Sequence, residues 1–168
     1  MRTVGTNAVL ALAGAPVRAQ SLRLSFLTIA GTIRVQDSLL AGQSRFYAEI
    51  LRIKILLDTA RGKLPLLFLI DELFHGTNSN DRFDGAQGVL QSLVTLNAIG
   101  MVTTHDLALT DIGKPLGSKV TSMHFADQIT DTNVSFDYRL RNGIATKGNG
   151  VALMQAVGLN VDTPAINS

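Results

Sequence analysis

No cysteine occurs in the 168 residues. That absence excludes a disulfide scaffold, a Cys-ligated zinc site and thiol catalysis, and it suits a reducing cytoplasm. Long apolar runs are missing too. The longest, around Leu64–Ile70 and Ala8–Ala15, are too short to span a bilayer. Met1-Arg2 is not followed by the apolar core and small-residue cleavage site of a secretory signal. Charge is sparse at 17% and nearly balanced, with a net value of +2, and no run of Lys and Arg forms a nucleic-acid footprint. Nor does any Gly-x-x-x-x-Gly-Lys-Ser/Thr phosphate loop occur, the usual cradle for nucleotide phosphates. What remains is a soluble, cytoplasmic, globular chain.

The hydrophobic content of 46% supports a sizeable core, and the length suits one domain spanning residues 1–168. Arg2–Gly14 reads as a helix that stops before Pro16. Leu22–Val35 has strand character: Leu22, Leu24 and Phe26 alternate, then Ile29, Thr32, Ile33 and Val35 add β-branched residues. Phe46, Ile50, Ile53 and Leu57 recur at helical spacing over Phe46–Ala60. Pro65 then introduces a fully apolar strand. Further helices are expected at Phe83–Leu96, Asp106–Ile112 and Gly150–Val157, and further strands at Ile99–Thr103, Val120–Ala126 and Val134–Leu140. Helices alternating with short apolar strands predict an α/β layered domain.

The apolar strand Leu64-Pro65-Leu66-Leu67-Phe68-Leu69-Ile70 delivers two adjacent carboxylates, Asp71 and Glu72, to its carboxyl end. A nucleotide-hydrolysing enzyme needs that pairing: one carboxylate beside Mg²⁺ and one to orient the attacking water. The plainer reading is a solvated pair that closes a strand. His105 follows a second apolar strand ending in Thr103 and Thr104. If the two strands are parallel neighbours, their carboxyl ends share an edge and His105 lies near Glu72, where an imidazole can bond a phosphate or the water. The plainer reading there is a surface histidine in a capping segment. His75 and His124 carry no role: three histidines without ligand-spaced companions make no metal site. Gly42-Gln43-Ser44-Arg45 opens a helix, where backbone N–H groups favour an anion, or where Ser44 is simply a cap. Gly76-Thr77-Asn78-Ser79 is either a functional loop or a polar turn, with Asp81 capping the helix after it.

Taken in order, these segments resemble the ATPase domain of the MutS family of DNA mismatch-repair proteins over nearly the whole chain. Asp37–Glu49 looks like the family's signature segment, Leu67–Glu72 its Walker B strand, Gly76–Ser79 its D-loop analogue, and Thr104-His105-Asp106 its switch histidine. The segment Ala145–Leu159 is similar to its closing helix. The resemblance implies a P-loop NTPase-like fold related to the ATPase domains of ABC transporters, with ATP and Mg²⁺ as cofactors. Asp71 would hold Mg²⁺ through water, while Glu72 and His105 would be catalytic. Gly42, Ser44, Asn78 and Ser79 would bind nucleotide, with Ser44 approaching the γ-phosphate held by a second subunit. The partners implied are a second copy or another MutS-like protein, and DNA contacted through regions outside this chain; no membrane is implied.

Two departures qualify the match. The phosphate loop that should precede Arg2-Thr-Val-Gly5 is absent, and Arg45 stands where repair members carry Thr, as in MutS-like orphan relatives. The leading expectation is the carboxyl-terminal part of a MutS-like ATPase, inactive by itself, whose intact form couples ATP to DNA binding. The alternative is a non-enzymatic dimerisation module that supplies Ser44 in trans to a complete partner. An ABC-type transport ATPase is disfavoured, because Asp37–Glu49 lacks a Leu-Ser-Gly-Gly-Gln-type signature.

Overall fold

The computed structural model describes residues 1–32, 45–74, 76–130, 133–145 and 150–159. The chain forms two compact units, Met1–Lys119 and Val120–Ser168. In the first unit the order is α1 (Arg2–Leu12), β1 (Thr28–Thr32), α2 (Arg45–Ala60), β2 (Leu66–Asp71), α3 (Ser79–Thr95), β3 (Ala98–Thr103) and a 3₁₀ run over Leu107–Lys119. The three strands pair in the order β1-β2-β3, all parallel. Among the described residues no helix is long and apolar enough to cross a membrane.

β2 is the middle strand, which explains its unbroken apolar sequence: both of its faces are covered, so neither can alternate with polar residues. Leu66, Phe68 and Ile70 pack with Leu56 of α2, Leu93 of α3 and Ile112 of the 3₁₀ run. Residues two apart on a strand share a face, so Leu67 and Leu69 meet the other layer, where Ala8 of α1 lies. Side chains such as Leu66 and Ile70 are fully buried, and each stabilises the unit by about 1.5–3 kcal/mol relative to exposure. α1 approaches the sheet through small residues. A Cβ on Gly5 would stand 2.5 Å from Leu69 Cδ1, so glycine sets how closely this helix lies on β2.

The structure departs from the sequence expectations at three places in this unit. The strand expected over Leu22–Val35 is found, among the described residues, only at Thr28–Thr32. Leu22, Leu24 and Phe26 alternate but pair with no strand among the described residues, and Phe26 is 82% exposed. α3 starts at Ser79, four residues before the expected Phe83, and its cap is Asn78 rather than Asp81. The Asn78 carboxamide oxygen accepts the Asp81 N–H at 3.0 Å, while Asp81 sits in the first turn, where a carboxylate suits the helix dipole. Finally, the helix expected at Asp106–Ile112 is a longer 3₁₀ run with a break at Gly117, φ 57°. Gly113, Pro115 and Gly117 occupy alternate positions there, and Pro115 removes a donor that an α-helix would need.

The second unit holds an antiparallel pair, β4 (Met123–Thr130) and β5 (Asn133–Asn142), followed by α4 (Gly150–Ala156). The ladder slips between Phe125 and Asp127, which marks a bulge. The His124 ring meets the Gly143 carbonyl at 3.0 Å, so it serves this hairpin.

Candidate functional site

Parallel pairing of β2 with β3 sets Asp71 opposite Thr103. Registered residues on parallel strands share a face, and the Thr103 hydroxyl donates to Asp71 Oδ1 at 2.7 Å. Asp71 falls on the face that α1 covers, where Arg2 reaches its other oxygen at 3.8 Å. That contact is long and half exposed, so it adds little to stability and leaves the carboxylate accessible.

Strand alternation would turn Glu72 into the opposite, buried layer. The backbone prevents this. Glu72 adopts φ 58°, a left-handed conformation that a residue with a Cβ rarely takes, while its N–H still donates to the Thr103 carbonyl at 3.1 Å. The chain therefore leaves the sheet within one residue, and the carboxylate emerges at the carboxyl edge. There Glu72 Oε1 lies 3.0 Å from Nδ1 of His105, and both side chains are about half exposed. Phe74, φ 57°, turns the chain again, and its N–H donates to the buried carboxylate of Glu49 on α2. Two left-handed non-glycine residues within three positions mark this loop as held by its surroundings, as at functional sites.

Asp71, Glu72 and His105 thus stand together at one edge of the sheet. Asn78 and Ser79 are both exposed, Asn78 as the cap and Ser79 as the first residue of α3. The Asn78 side chain donates to Asp81 at 2.7 Å, so it is occupied with its own helix start. Gly42 and Ser44 lie outside the described residues, as does His75. Three further residues belong to this neighbourhood and were not singled out in the sequence: Thr103, Glu49 and Arg82. Arg82 pairs with Asp106 at 3.3 Å and donates to the Thr77 carbonyl at 3.1 Å. The register of the two apolar strands was the available signal for Thr103. No spacing pattern announces the other two.

The donor set fits a hard cation. Among the described residues no group of three or more His, Asp or Glu forms a ready-made metal cage. A single accessible carboxylate beside a hydroxyl is instead what Mg²⁺ uses when it keeps most of its water and shares phosphate oxygens. A phosphate cradle of the Gly-Lys-Ser/Thr kind is not among these residues.

A three-stranded parallel sheet with helices on both faces, carrying an acidic pair and an imidazole at its carboxyl edge, defines a mixed α/β domain, and the carboxyl edge is where such sheets generally bind ligands. The chain belongs to the MutS family: residues 1–164 match MutS domain V. It is 30% identical over 161 residues to a DNA mismatch repair protein MutS of Natronomonas pharaonis, covering 95% of this chain and 18% of the relative. The MutS protein of Streptococcus agalactiae is 30% identical over 164 residues, and that of Streptococcus mutans 31% over 166. Each of those matches covers 96% of this chain and 19% of the relative, so the chain spans about a fifth of the curated proteins it matches.

Proposed function

We propose that this chain is part of the ATP-handling domain of a MutS-type DNA mismatch-repair protein, with a P-loop NTPase-like fold. In the intact protein it would couple ATP binding and hydrolysis to DNA binding in a cytoplasmic dimer. The observation that carries the reading is the 3.0 Å contact between Glu72 and His105, beside Asp71 at the carboxyl end of the same strand, where it is registered with Thr103. ATP, when bound, supplies the phosphoryl group and brings Mg²⁺ with it. Asp71 would hold Mg²⁺ through water, its geometry fixed by the Thr103 hydroxyl. Glu72 would accept the hydrogen bond that orients a water, and His105 holds Glu72 in place while offering its own ring to the same water or to a phosphate oxygen. Gly42 and Ser44 would face nucleotide held by the second subunit, and Asn78 and Ser79 would lie at that junction.

The same reading makes the chain inactive when alone. Without a lysine and a loop of N–H groups, each charge-assisted phosphate contact forgone removes about 1.5–3 kcal/mol of binding, and several together abolish useful affinity. The test compares the 168-residue chain with a phosphate-loop form, in which a strand and loop ending in Gly-Lys-Ser are joined in frame ahead of Arg2. Calorimetry should detect no Mg²⁺-ATP binding by the chain and clear binding by the phosphate-loop form, which should also hydrolyse ATP. Tight binding by the chain alone, or a phosphate-loop form that folds but ignores ATP, would refute the reading.

A further inference from the structure

Arg82 lies in the first turn of α3, where its N–H bonds the carbonyl of the cap residue Asn78 at 3.0 Å. A cation at that end opposes the helix dipole, so the helix itself gains nothing from it. The side chain is also largely buried, at 19% exposure, which is costly for a guanidinium unless its donors are used. The two terminal nitrogens are used in two directions, while Nε is buried with no hydrogen-bond partner among the described residues. One terminal nitrogen donates to Asp106 Oδ2 at 3.3 Å and the other to the Thr77 carbonyl at 3.1 Å. Asp106 in turn is fixed by neighbours: its N–H donates to the Thr104 hydroxyl and its Oδ1 accepts the Ala108 N–H, both at 3.0 Å. His105 lies between Thr104 and Asp106, so the backbone on both sides of it belongs to this bonded segment.

We propose that Arg82 is a positioning residue that braces the Thr77–Asn78 turn to the Thr104–Asp106 segment and so fixes where the His105 ring stands against Glu72. The planar fork suits this task, since it satisfies two acceptors on different segments with one rigid group. The proposal rests on the reading of Glu72 and His105 as the pair that handles water. It adds a link between the loop facing a second subunit and the imidazole serving its own. A shift of the Thr77 turn would then be felt at His105 through one side chain.

The His105 ring nitrogens of the 168-residue chain report the contact with Glu72 without any nucleotide. In Arg82→Gln the ring ¹⁵N signals should move towards those of Glu72→Gln, while His124 and the protection of the β2 amides stay as they were. Arg82→Lys keeps the charge opposite Asp106 but not the fork, and should fall between. In the phosphate-loop form, Arg82→Gln should lower kcat about tenfold or more with KM within about twofold, because the pair is misaligned while the phosphate cradle is intact. Unmoved His105 signals in folded Arg82→Gln overturn the proposal, and so does an unchanged kcat. If Arg82→Gln does not fold, Asp106→Asn loosens the same brace from its other end and keeps an acceptor for Ala108; wild-type His105 signals there overturn the proposal equally. A phosphate-loop form that hydrolyses nothing, in a chain whose His105 signals do answer to Arg82, refutes the water-handling reading and supports the brace.

Discussion

Glycine and alanine placed in turn at position 72 isolate the cost of the backbone that aims the carboxylate. The left-handed conformation, φ 58°, costs a residue with a Cβ about 1–2 kcal/mol, and glycine escapes it. Glycine also has more freedom to lose on folding, which offsets about 0.4–1 kcal/mol of that gain. Both variants forfeit the half-exposed contact with His105, so that loss, at most about 1 kcal/mol, cancels from the comparison. Glu72→Gly should therefore be more stable than Glu72→Ala by about 0.5–1 kcal/mol, the reverse of the usual order. The Leu69 and Ile70 amides of β2 are the reporters, because they read the opening of residues 1–119 and not of the second unit. Their hydrogen exchange should be about two- to fivefold slower in the glycine variant. Equal rates, or slower exchange in Glu72→Ala, would show that the turn stores no strain.

Three further outcomes are expected. In the phosphate-loop form, Glu72→Gln should keep nucleotide binding and cut hydrolysis by about 10²-fold or more; unchanged turnover in a single-turnover assay would remove Glu72 from its role. Ile70→Ala should cost about 2–5 kcal/mol, because Ile70 is fully buried, whereas Ile99→Ala, on a side chain 67% exposed, should cost under about 1 kcal/mol, both read by urea unfolding. The Asp58 carboxyl is held below its ordinary value by its hydrogen bond to Lys54, aided by Arg61. The small stability this lends is present above the ordinary carboxylate value and is lost as pH falls through the lowered one. An NMR titration should show Asp58 protonating below the ordinary value at low salt and shifting upward at high salt.

The parts of the fold that depend on short-range pattern were legible. β2 announced itself because a strand covered on both faces needs an unbroken apolar run, and β3 followed with its own. α2 was found within one residue, since its apolar positions keep helical spacing. The start of α3 was harder: Asn78 and Asp81 are both competent caps, and only the fold of the preceding loop decides between them. Leu22–Phe26 misled because alternation shows a capacity for pairing, and pairing needs a partner strand. At the edge, the spacing of Asp71, Glu72 and His105 could be read once β2 and β3 were taken as parallel neighbours. The left-handed turn at Glu72 could not, since its residue type argues against it. Arg82 and the buried Glu49 were equally hidden, because a charged residue on a helix reads as solvated until its partners from distant segments are known.

The missing side chain at position 5 gauges more than packing. With a methyl group there, either the buried Leu69 side chain turns aside or α1 rides up on it, and the helix carries Arg2 at its head. Lifting it would draw the guanidinium away from Asp71, which it meets at 3.8 Å. The smallest residue in the helix thus bears on where the charge at the helix's head stands, well beyond its own contacts.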